Sequence, residues 1–232
     1  LVRPTPVDEA FLPALEVDRF RWPNVCDALL EQSGAHLDDV ARRLLAAAAA
    51  GQRVVAIGSC QRGMGCTTTL LCFARQLANQ ARTVAMVDAD FRHPDLAARL
   101  GVAVTVGWDD VLRDERPLAE ALVRSGQDRL ALLPLRGTTP DGSVLAGNLP
   151  SSTSLRVLRQ HFDLVLLDLG PVLENTAVAA GRPDAERAGV DAAVLVHNPQ
   201  TTARGDLHHV AEALERVGVP AIGIAETFTA AA

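Results

Sequence analysis

The chain contains no lysine and no tyrosine; all 22 of its basic side chains are arginine. No lysine can therefore reach in from elsewhere in the chain to complete a site that lacks one. No apolar run approaches the roughly 20 residues needed to span a bilayer. No charged-then-apolar leader opens the sequence, which begins with Leu1 rather than Met, as a piece of a longer protein would. Cysteine is sparse, and Cys26, Cys60, Cys66 and Cys72 form no C-x-x-C pair. That usage is unlike a small secreted scaffold and reads as reduced thiols in a cytosolic protein. Basic charge is also short: the net charge of −6 argues against broad nucleic-acid binding. What remains is 232 residues, 48% hydrophobic and 22% charged, enough for one good-sized soluble domain with an appendage.

Residues 1–23 carry Pro4, Pro6, Pro13 and Pro23 and read as an extended arm. Asn24 suits a helix N-cap, with Asp27 in the first turn. Leu37, Val40, Leu44 and Leu45 recur at helical spacing and predict an amphipathic helix over about 36–50, ending at Gly51. Beyond Gly51 the pattern changes. Short β-rich runs at Val54–Ile57, Thr83–Val87, Leu130–Leu133, Asp163–Leu167, Ala192–Val196 and Ala221–Ile224 alternate with helix-length stretches at 67–80, 153–161 and 201–217. The runs are nearly continuous in apolar residues, as strands buried on both faces are. The expectation is an α/β fold, a mostly parallel sheet flanked by helices, over 51–232, with an N-terminal arm and helix over 1–50. In such sheets ligands bind at the carboxyl ends of the strands.

The first of those ends reads Gly58-Ser59-Cys60-Gln61-Arg62-Gly63-Met64-Gly65-Cys66-Thr67-Thr68. Gly63 and Gly65 allow consecutive N–H groups to aim at one point. The helix starting near Thr67 adds its dipole and its unpaired N–H groups. Set against the phosphate-loop pattern G-x-x-x-x-G-K-[ST], Gly65 and Thr67 fit, Cys60 replaces the first Gly, and Cys66 stands where the lysine belongs. Taken alone, the loop also fits an ordinary Gly-rich turn. A dinucleotide fingerprint fails because Thr68 occupies the third Gly position. A Cys-x5-Arg phosphatase loop fails because Cys60 and Cys66 are each followed six positions later by another cysteine.

Two later strand ends carry acids. One run leads into Asp88-Ala89-Asp90-Phe91-Arg92, another into Asp168-Leu169-Gly170-Pro171. Both sets would lie beside a phosphate on the loop and its Mg²⁺, for which Thr67 supplies the usual hydroxyl. Gly-loop and acids together point to a P-loop fold.

The segment TVAMVDADFRHPDLAARLG resembles the second nucleotide motif of bacterial tyrosine kinases, the P-loop kinases associated with polysaccharide co-polymerases. FDLVLLDLGPV resembles their Walker B strand, and GWDDVL followed by LALLPLRG is similar to their middle region. The resemblance covers about residues 51–224. Min- and Par-type ATPases are more distant relatives of the same deviant P-loop class, but their second lysine falls here at Gln61. The resemblance implies that Gly63, Met64, Gly65, Cys66, Thr67 and Thr68 cradle the phosphates of ATP or ADP. It implies that Thr67, Asp88 and Asp168 serve Mg²⁺, that Asp88 and Asp168 act in catalysis, and that Asp90 and Arg92 shape the second motif. It further implies a protein partner such as a membrane polysaccharide co-polymerase, a homo-oligomer, no nucleic acid, and a cytoplasmic location extending to the inner face of the membrane.

The chain departs from that family in its Cys66, in the absence of the C-terminal tyrosine cluster that such kinases phosphorylate, and in lacking a clear Glu/Arg-rich oligomerisation helix. Three readings stay open: a degenerate regulator of exopolysaccharide synthesis or export with weak or conditional nucleotide binding; an active ATPase or tyrosine kinase acting in trans, with Arg62 replacing the lysine; and an interaction module without nucleotide. Arg62 reads equally as a solvated loop charge. Cys66, at a helix N-terminus, is expected to have a lowered thiol pKa if reactive, or to serve as a small neutral filler. His208 and His209 read as surface residues.

Overall fold

Apolar runs with no polar alternation can leave neither face to water, and the chain places them at the centre of one sheet. The computed structural model describes residues 13–113, 115–138, 153–174, 189–219 and 222–228. Its strands are β1 (Leu15–Val17), β2 (Val54–Ser59), β3 (Val84–Asp88), β4 (Val123–Ser125), β5 (Leu130–Leu133), β6 (Leu164–Pro171), β7 (Ala192–His197) and β8 (Ile222–Glu226). They form one sheet in the order β1-β4-β5-β3-β6-β2-β7-β8. All neighbours are parallel except the β4–β5 hairpin.

The six strands expected from sequence are present, with ends shifted by a few residues; Ala221, where the last was expected to begin, lies outside the described residues. β1 and β4 were not foreseen. Each has three residues, too few for an alternation to register. β1 lies in the stretch read as an extended arm. Leu15, Glu16 and Val17 are extended, but they pair with Val123, Arg124 and Ser125 as the sheet's edge. Pro4 and Pro6 lie outside the described residues.

The helices are α1 (Asn24–Ala49), α2 (Cys66–Asn79), α3 (Leu96–Arg99), α4 (Trp108–Leu112), α5 (Leu118–Ala121), α6 (Thr153–His161) and α7 (Arg204–Arg216). α1 begins earlier than its amphipathic half suggested. Pro23, not Asn24, occupies the cap position, and no side chain caps the helix. Its regularity breaks at Ser33 (φ −122°, ψ 20°), next to Gly34. A Ser-Gly pair is a common site of kinks, and this one interrupts the helical period between the two halves of α1.

Alternate residues of β2 separate the two cores. Val54 and Ala56 join Leu155 and Leu158 of α6 and Val210 and Leu214 of α7. Val55 and Ile57 join Leu70, Leu71 and Phe73 of α2 and Ala41 and Leu44 of α1. Each fully buried Leu such as Leu70 contributes about 2 kcal/mol of apolar transfer. This double cover fixes β2 and β6 centrally and so fixes where their carboxyl ends emerge.

Candidate nucleotide-binding site

β2 leads directly into the Gly-rich loop, and α2 leads out of it. Gly63 (φ +81°) and Gly65 (φ +86°) are both left-handed, a conformation in which a Cβ is penalised. A Cβ on Gly63 would meet nothing within 4 Å, so the mouth of the loop is open. The backbone N–H groups of Gly63 through Thr68 find no acceptor among the described residues. A helix start always leaves such donors; here the two glycines extend the row into the loop. The result is an anion cradle made of main chain.

The loop is pinned from the side. Met64 is buried, and its carbonyl accepts a 2.9 Å hydrogen bond from Thr227 Oγ1. Its Sδ accepts from Thr202 Oγ1 at 3.3 Å and Thr201 Oγ1 at 3.7 Å. Thr227 also hands its backbone N–H to the carbonyl of His197, at the end of β7.

Below the loop, Asp88 and Asp168 are register partners on the adjacent parallel strands β3 and β6. They are 1% and 3% exposed, and neither has an ion pair among the described residues. Asp88 accepts the N–H groups of Asp90 (3.3 Å), Asp95 (3.1 Å) and Leu96 (3.2 Å). Asp168 accepts the N–H of Gly170 at 3.1 Å and the Cys66 thiol at 3.3 Å. Burial pushes Asp88 well above the usual carboxylate range, and the Asp168 charge adds to it. Burial also raises Asp168, against hydrogen bonds from Thr67, Gly170 and Cys66. Two buried carboxylates without a cation suit a metal ion.

Among the described residues no group of three or more His, Cys, Asp and Glu could hold a metal by itself. Mg²⁺ does not require one, because it keeps waters and takes phosphate oxygens alongside one or two carboxylates. The donors Thr67, Asp88 and Asp168 therefore fit Mg²⁺ delivered with a nucleotide.

Family comparisons bear on this arrangement. No protein-family model matches the chain. The septum site-determining protein MinD of Synechocystis is 28% identical over 175 residues, 74% of this chain and 63% of that protein, so the chain spans under two thirds of that relative. The tyrosine-protein kinase CpsD of Streptococcus agalactiae is 23% identical over 74% of this chain and 73% of its own. Among solved structures, the VpsO kinase domain superimposes with a TM-score of 0.69 at 22% identity, over 88% of this chain and all of that one. MinD from Pyrococcus horikoshii, complexed with Mg-ADP, superimposes at 0.62 with 25% identity, over 74% of this chain and 68% of that one. The chain has the P-loop NTPase fold and is similar to the MinD proteins and bacterial tyrosine kinase domains.

In this P-loop fold the positions expected to act, Cys66 apart, fall into two sets. Gly63, Met64, Gly65, Thr67, Thr68, Asp88, Asp90 and Asp168 surround the loop and the two strand ends. Asp90 turns the chain after β3, with Oδ1 accepting the N–H groups of Arg92 (3.2 Å) and His93 (3.0 Å). It lies against Gly170 (φ +60°), where a Cβ would come within 2.2 Å of Asp90 Oδ2. Arg62 and Arg92 form the second set. Both side chains are exposed, and neither makes a hydrogen bond or ion pair among the described residues. Burial raises the Asp90 carboxyl, and the Arg62 charge is the smallest of the influences that oppose the rise.

Cys66 departs from the lowered pKa expected of a reactive thiol at a helix N-terminus. Burial pushes its thiol well above the ordinary value, and the neighbouring Asp168 adds to the rise. Its Sγ faces Ile57 O and Asp168 Oδ1, each at 3.3 Å, so it turns toward the sheet as a neutral filler. The helix dipole is outweighed because desolvation disfavours the thiolate more.

Thr201, Thr202 and Thr227 escaped the sequence reading. Their one signal is position, just past the ends of β7 and β8, which says nothing of a sulfur 137 residues away. Thr227→Val will remove the clamp on the Met64 carbonyl. It is expected to cost about 1 kcal/mol, read as a lower midpoint in urea unfolding. An unchanged midpoint would show that the clamp contributes nothing.

Proposed function

We propose that this chain is a degenerate member of the tyrosine-kinase-like P-loop group that binds Mg-nucleotide weakly or conditionally. In this reading it regulates exopolysaccharide synthesis or export through protein contacts, with a membrane polysaccharide co-polymerase as partner, from the cytoplasmic side, alone or as a homo-oligomer. Thr67, Asp88 and Asp168 hold Mg²⁺, and the N–H row of Gly63 to Thr68 holds the phosphates. Bound Mg²⁺ would neutralise the phosphate oxygens and the two carboxylates together. The protein's own part is to present the donors in place and to exclude water beneath them.

One observation carries this reading: an open row of N–H groups with no acceptor among the described residues stands above two buried carboxylates with no ion-pair partner among them, while the side chain at the lysine position turns away. The scaffold for binding is retained, and a preorganised donor for the transition state is missing. Losing one such donor typically costs about 10² to 10³ in rate. The pathway rests on the resemblance of the Walker segments. Among the described residues no helix is long and apolar enough to cross a membrane.

Calorimetry of the folded protein with Mg·ADP tests the binding half. A Kd in the micromolar-to-millimolar range is expected, lost when EDTA removes the metal, since a charge-assisted contact of about 1.5–3 kcal/mol is gone. Absence of heat at millimolar nucleotide would overturn it and leave the interaction module. The active reading needs Arg62 in the lysine's role, whereas its side chain is exposed and has no partner among the described residues, as a solvated charge would be.

A further inference from the structure

A second concavity lies at the other end of the sheet. The last turn of α2 and the amino end of β5 meet there, because α2 starts at the Gly-loop and β5 runs parallel to β3. The cavity holds about 260 Å³ and is lined by Arg19, Trp22, Arg75, Asn79, Gln127, Asp128 and Arg129, with Ala78 and Leu130. Three of its walls are cationic and one is acidic.

The acid is already spent on the framework. Asp128 Oδ2 accepts the Phe20 N–H (2.8 Å) and the Ser125 hydroxyl (2.6 Å), and its Oδ1 accepts the Trp22 indole N–H (3.3 Å). Arg75 is held too: it pairs with Asp27 at 2.5 Å and lies 5.3 Å from the Trp22 ring centroid. Arg19 and Arg129 make no hydrogen bond or ion pair among the described residues, and the amides of Asn79 and Gln127 have no partner there either. Arg129 is held in a left-handed conformation (φ +57°), which costs a residue with a Cβ. A glycine would suit that turn better.

We propose that this cavity binds a small phosphate monoester, its phosphate between Arg19 and Arg129 and its organic part against Trp22. The unpaired groups are almost all donors, and the guanidinium fork matches phosphate oxygens bidentately. The size fits a small metabolite, below the usual range for drug-sized ligands. None of these residues belongs to the Gly-loop site, so the proposal stands whether or not that site binds nucleotide.

The test is the tryptophan fluorescence of the full chain at fixed ionic strength, titrated with glycerol 3-phosphate and with inorganic phosphate. A saturable change is expected, tighter for the monoester. It should weaken at least threefold in both Arg19→Ala and Arg129→Gly. Arg129→Gly relieves the left-handed strain, so its Tm should hold or rise while binding falls, a pattern that general unfolding cannot produce. No saturable change, equal affinity for phosphate and the monoester, or a loss under threefold in either variant would overturn the proposal.

Discussion

Replacing Cys66 by lysine will tighten Mg·ADP binding by about one to two decades. The estimate follows from a charge-assisted bond to phosphate of about 1.5–3 kcal/mol, at 1.4 kcal/mol per decade. The cradle that the lysine would complete has Gly63 and Gly65 left-handed and an N–H row with no acceptor among the described residues. The new side chain begins at the first residue of α2, beside Asp168. Its ammonium would replace a neutral thiol next to two carboxylates raised by burial, and so favour their ionised form. Arg62 makes the experiment discriminating. If Arg62 already fills the lysine's role, Cys66→Lys will gain little and Arg62→Ala will lose about a decade. If Arg62 is a solvated charge, as its exposure and lack of partners favour, Arg62→Ala will leave affinity nearly unchanged. Calorimetry on the two variants separates these results.

Asp168→Asn will move binding and stability in opposite directions. On its proposed role beside Mg²⁺, losing the Asp168 carboxylate should cost about tenfold to a hundredfold in Mg·ADP affinity. Without ligand, the same change should stabilise the fold at neutral pH by about 0.5–2 kcal/mol. For a chain of this length that is about 2–4 °C in Tm per kcal/mol. The asparagine keeps an acceptor for the Gly170 N–H and the Cys66 thiol, and it removes a charge that burial penalises.

The pH dependence has a definite sign. Asp88 and Asp168 are raised above their unfolded values, so the folded protein holds protons that the unfolded chain has released. The stability of the ligand-free protein therefore falls as pH rises from the ordinary carboxylate range through their raised folded values. The slope should be shallower in Asp168→Asn. Urea unfolding at several pH values reads it, and an unchanged slope and midpoint would refute the assignment.

Much of the fold was legible because burial leaves a mark in one dimension. Strands covered on both faces must be apolar throughout, so β2, β3, β5, β6, β7 and β8 stood out as runs. The acids stood out because each interrupts or ends such a run. β1 and β4 left no mark, since three residues carry no period. The break at Ser33 split the pattern of α1.

What the sequence by itself determined is a chemical inventory: a Gly-loop after the first central strand, acids after two others, and no lysine to complete the loop. Only the tertiary structure decided how those groups meet. Register on adjacent strands set Asp88 against Asp168 and buried both, which raised them together. The direction of the Cys66 side chain, inward to Ile57 O and Asp168, reversed the pKa expected from its place at a helix start. The clamp on Met64 joins residues 138 and 163 positions apart. Desolvation and long-range contact are properties of three-dimensional neighbours, and no local pattern encodes them.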